Sequence, residues 1–146
     1  MHRVKRIRTA VVAVAATAGP AVSITPVRAA AIRTAGGNGK YLGKYGVTRH
    51  DLPNGEDEQF LVGTDYAVGT RWTKNGSWTR WTSPGKPDPL GKANAASSIT
   101  VTDSDTHPPG QFRTNIYLTN TNGAFVGKTR PDLGTSWQPW DHPNCC

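Results

Sequence analysis

The sequence predicts an all-β protein built from two antiparallel four-stranded repeats. Past residue 40, no stretch of ten residues or more places apolar side chains at helical spacing. Short runs of Val, Ile, Thr, Phe and Tyr recur instead, cut by Gly, Pro, Asn and Asp. These runs fall into two copies, residues 46–81 and 98–140. Set one above the other, Phe60 meets Tyr117, Leu61 meets Leu118, Ala67 meets Ala124, Val68 meets Phe125 and Arg71 meets Lys128. Two extra residues in the second copy bring Trp78 over Trp137 and Trp81 over Trp140.

From the N-terminus, residues 1–29 read as a secretory signal. Arg3, Lys5, Arg6 and Arg8 precede a short apolar run, and Val27 and Ala29 stand at the positions a signal peptidase reads. The run contains Pro20 and is too short for a membrane anchor. Removing Arg3, Lys5, Arg6, Arg8 and Arg28 from the 17 basic residues leaves 12 against 10 acids, so the net charge falls from +7 to +2. No basic stripe remains, which argues against a nucleic-acid partner, and no membrane association is expected after cleavage. Residues 30–40, Gly-rich and without periodicity, read as a flexible leader. The β domain then covers 41–143, and 144–146 form a tail. Cys145 and Cys146 are adjacent and close no useful loop. With His142 they make a poor zinc site, and neither a metal nor another cofactor is expected.

Within each copy a first strand ("GVTRHD", "ITVTDSD") leads through a polar loop to a hairpin. The hairpin joins "FLVGT" to "AVGTRW" and "IYLTNT" to "AFVGKT". Asn122-Gly123 predicts a two-residue turn with positive φ at both positions, and Asp65-Tyr66 occupies the same place in the first copy. The best helical candidate, residues 90–98, is short and follows Pro89. The fourth strand is the Trp pair, "SWTRW" or "SWQPW". Residues three apart on an extended strand face opposite ways, so one indole of each pair is expected on its own core and the other on a neighbouring sheet or a ligand. Pro139 places this strand at a sheet edge. Repeated small sheets with two-faced aromatic edges suit blades stacked about an axis, with a small two-sheet β-sandwich as the alternative.

Residues 62–85, "VGTDYAVGTRWTKNGSWTRWTSPG", resemble one repeat of the bacterial PLL-like β-propeller lectins and related fungal fucose-binding lectins. Gly63, Thr64, Asp65, Ala67, Arg71, Trp72, Trp78 and Trp81 match that pattern, as do Thr121, Gly123, Ala124, Trp137 and Trp140 in the second copy. Asn122 and Lys128 are near matches. The chain departs from the pattern at Gly69-Thr70 and Val126-Gly127, and at Lys128-Thr129, where the first copy has Arg-Trp. The resemblance implies about two blades and a carbohydrate-binding function.

The residues suit that function. Sugars present flat C–H faces to aromatic planes and hydroxyls to fixed polar groups. Trp72, Trp78, Trp81, Trp137 and Trp140 supply the planes, and Arg71, Arg80, Asp65 and Asn122 the polar partners. The expectation is a secreted, lectin-like protein whose partners are glycans. The second hypothesis is a secreted adaptor or subunit that docks through open blade edges on a protein partner or on further copies of itself. An enzyme is not expected. His50, His107 and His142 fall in Pro-rich or polar loops, and no nucleophile elbow or metalloprotease helix is present. Asp103 and Asp105 lack the rest of an EF-hand loop and read as a solvated turn. In a bacterial chain, as the signal and the resemblance suggest, Asn75-Gly76-Ser77 is a turn rather than a glycosylation acceptor.

Overall fold

A computed structural model describes residues 31–103 and 111–143, and it is all-β. The strands are β1 (Ile32–Ala35), β2 (Gly39–Leu42), β3 (Val47–Asp51), β4 (Asp57–Val62), β5 (Val68–Lys74), β6 (Ser77–Trp78), β7 (Thr82–Gly85), β8 (Thr100–Asp103), β9 (Thr114–Thr119) and β10 (Phe125–Arg130). One short 3-10 turn, Gly43–Tyr45, joins β2 to β3. The expected signal and the Cys145–Cys146 tail lie outside the described residues.

The first repeat forms an antiparallel sheet in the order β3-β4-β5-β6, with β7 also pairing β5. The second forms the sheet β10-β9-β8. Its expected fourth strand is reduced to a bridge between Gly127 and Asp141 and a hydrogen bond from Gln138 N to Thr129 O. Residues 90–98 are irregular and touch the second sheet at a bridge between Ala95 and Asn120.

The stretch expected as a leader contributes β1 and the start of β2. β1 and β2 pair as a hairpin around Gly36, Gly37 and Asn38, and Gly37 and Asn38 adopt the positive φ a tight turn requires. The hairpin joins the first sheet at a bridge between Tyr41 and Gly63.

The two expected two-residue turns are wider. Gly63 N donates to Ala67 O, and Asn120 N donates to Ala124 O, which leaves three residues in each loop. Positive φ falls only on the last of the three, Tyr66 or Gly123, the geometry of a type I turn followed by a left-handed residue. Asp65 Oδ1 accepts from Ala67 N, and Asn120 Oδ1 accepts from Asn122 N and Ala124 N, so carboxamide and carboxylate groups shape both loops.

The two sheets pack face to back. Glu58, Phe60 and Val62 of β4 point at the second sheet, which answers with Thr114, Ile116 and Leu118 of β9 and Val126 of β10. In the repeat alignment Phe60 matches Tyr117, while Ile116 matches Gln59 and Leu118 matches Leu61. The two repeats therefore contribute opposite faces to one core. The face that is core in the first repeat is open in the second, where Tyr117 and Phe125 stack on each other, ring centroids 5.8 Å apart, with Phe125 51% exposed.

Candidate functional site

Both indoles of the first repeat converge on one side chain. The Arg71 guanidinium lies 4.3 Å from the Trp78 ring centroid and 4.8 Å from that of Trp81. This corrects the expectation that residues three apart must face opposite ways. Trp78 pairs with Thr73, but Thr82 pairs with Thr70, so one extra residue is inserted between them. A bulge of one residue flips the alternation and returns Trp81 to the face of Trp78.

Arg71 is nearly buried, and its Nε and Nη2 donate to Gln59 Oε1 at 3.0 and 2.9 Å. Burial pulls its pKa below the ordinary arginine value. The Trp81 Nε1–H donates to Gly36 O at 2.8 Å, tying the indole to the β1–β2 turn. Gly39 passes so close that a Cβ there would meet Trp81 Cε2 at 2.6 Å. Gly39→Ala should therefore displace Trp81, costing about 1–3 kcal/mol and shifting tryptophan emission to the red. Unchanged emission and an unchanged urea midpoint would disprove the contact.

Beside this stack opens a cleft of about 530 Å³, lined by Ala35, Gly36, Val47, Arg49, Gln59, Arg71 and Trp78. Trp78 is 40% exposed, enough to offer a ligand part of its ring. Arg49 and Gln59 were not foreseen. Their signal was the strand register, in which Arg49 faces Gln59 and Gln59 faces Arg71.

The second repeat spends the same motif on packing. Trp140 is 6% exposed within the core, and its neighbour Lys128 donates from Nζ to Pro84 O. Trp137 meets Phe60 edge-on at 6.1 Å and lies 4.9 Å from Arg130. Trp72 points to the opposite face of β5 from Arg71, 5.6 Å from Arg130. Arg80 is exposed, and Asp65 and Asn122 stand at the hairpin tips. None of these six residues lines the Arg71 cleft.

An ionic network crosses the junction of the sheets. Arg130 donates from Nη1 and Nη2 to Glu58 Oε1 and Oε2 at 2.6 and 3.0 Å, and all of these groups are buried. His50 lies on β3, within the strand expected from "GVTRHD" rather than in a loop, with Nδ1 3.1 Å from Glu58 Oε2 and Nε2 2.9 Å from Asp103 Oδ1. Both ring nitrogens face carboxylate oxygens, an arrangement that suits the doubly protonated ring. Burial opposes that charge, but the hydrogen bonds and charges of Glu58 and Asp103 outweigh it and raise the pKa. Burial likewise opposes the Glu58 charge, and hydrogen bonds from His50 and Arg130 prevail, holding its carboxyl below the ordinary range.

No protein-family model matches this chain, and no curated protein matches it. Among solved structures, a fucose lectin from Kordia zhangzhouensis, in complex with methyl-fucoside, is similar to it at 20% identity with a TM-score of 0.44. The match covers 64% of this chain and 61% of that lectin's, less than two thirds of its length.

Proposed function

We propose that this is a secreted carbohydrate-binding protein and that the Arg71 cleft holds the sugar. The observation that carries the reading is the guanidinium clamped between Trp78 and Trp81 and fixed by Gln59, with the Trp78 ring open to solvent beside it. Such a site offers an aromatic plane and preset donors, the two things a sugar ring needs. The resemblance of residues 62–85 to lectin repeats points the same way. Titration with a panel of methyl glycosides should change tryptophan emission, and Trp78→Ala should weaken that binding by about tenfold or more. No response to any glycoside would sink the reading.

A second reading rests on Tyr117 and Phe125. Their face in the second repeat matches the one that the first repeat buries, so it suits a further β-module with a surface like that of Ile116, Leu118 and Val126. The partner is then another protein or a second copy, met through a sheet face rather than a strand edge. Light scattering on the cleaved protein, alone and after Phe125→Ser, tests it. A monomer with no secreted partner would rule it out.

A further inference from the structure

Resting on the glycan-binding reading of the same cleft, we infer that the ligand is an acidic saccharide, one bearing a carboxylate or sulfate group. Two guanidiniums, Arg49 and Arg71, line the cleft, and no carboxylate is among its lining residues. Arg49, Gln59 and Arg71 lie opposite one another on β3, β4 and β5, so their side chains form a row on one face. The only groups this row can turn toward a ligand are donors: two guanidiniums and the Gln59 amide nitrogen, since Gln59 Oε1 is already taken by Arg71. Ion pairs among the described residues join His50 to Glu58 and Asp103, and Glu58 to Arg130, and none includes Arg49 or Arg71.

The contrast with Arg130 is informative. Where this fold buries a guanidinium for structure alone, it supplies a bidentate carboxylate. Arg71 is nearly buried, and its partners are a neutral amide and the faces of two indoles, with no carboxylate. A buried cation without an anion is costly, and an entering anion would offset that cost with charge-assisted hydrogen bonds. Asp51 and Asp57 flank Arg49 and Gln59 on the same face, whereas Thr73 flanks Arg71, so their charge favours an anion at the Arg71 end. The Trp78 ring then lies within reach of the sugar that carries the anionic group.

The test uses glycosides that differ only at C6. Methyl glucoside and methyl galactoside are compared with the matching uronates and 6-sulfates, and with inorganic sulfate alone, by calorimetry on the cleaved full chain. The acidic members should bind about tenfold or more tighter than their neutral partners, and added salt should weaken them. Arg49→Gln, at an exposed position, should shrink that preference. If uronates and 6-sulfates both gain, the site reads charge; if one gains, it also reads anion shape. Neutral glycosides binding as tightly as acidic ones would overturn this inference and leave the sugar site standing. Sulfate alone binding as tightly as any glycoside would overturn the saccharide part. Binding of none would remove both.

Discussion

Glu58→Ala should destabilise the protein by about 3–5 kcal/mol, measured as a fall in unfolding free energy in urea. Glu58 is fully buried and holds three partners at once: Arg130 through both oxygens, Thr70 Oγ1 and His50 Nδ1. Removing the carboxylate leaves the Arg130 charge buried between two sheets with Thr114 as its remaining hydrogen-bond acceptor. A loss below about 1 kcal/mol would show that the two sheets do not depend on this pair.

The same network sets a pH window. Glu58 has a folded pKa below its ordinary 4.5, so its contribution is present above that value and is lost as pH falls through the folded one. His50 has a folded pKa above its ordinary 6.5, so its contribution is present below 6.5 and is lost as pH rises through the folded one. Melting temperature should therefore be highest between these ordinary values and decline on both sides. His50→Gln should flatten the alkaline decline, and an alkaline limb that persists in the variant would assign it to another group.

Phe60→Ala should cost about 3–5 kcal/mol, while Phe125→Ala, on the matching face of the second repeat, should change stability by less than about 1 kcal/mol. Phe60 is fully buried against Trp137 and His50, so truncation opens a cavity in the joint core. Phe125 is half exposed and meets only one side of Tyr117. Similar costs at both positions would contradict the face-to-back arrangement, because the repeats would then bury the same face.

Much of this architecture was legible. Local strand propensity and a repeat of matched positions sufficed for the first three strands of each repeat and for the Arg71, Trp78 and Trp81 pattern. The convergence of the two indoles was not, because a single inserted residue reverses side-chain parity and leaves no mark in composition. The first hairpin carried its turn signal in Gly36, Gly37 and Asn38, but its flanks have no apolar alternation, since β1 is exposed. The Glu58–Arg130 pair was hidden for another reason. It joins residues far apart in the chain and on different sheets, and nothing local to either one announces its partner.

A junction between unlike faces gives the molecule a polarity. At one end, Trp81 packs between Gly39 of the β1–β2 hairpin and Gly69 of β5, beside the Arg71 cleft, so that end is occupied. At the other, the stacked rings of Tyr117 and Phe125 meet solvent. Had the sheets met through a two-fold axis, both would have spent the same surface and the pair would be closed. As built, the unit can be lengthened in one direction by tandem duplication, each added copy reusing the joint already present.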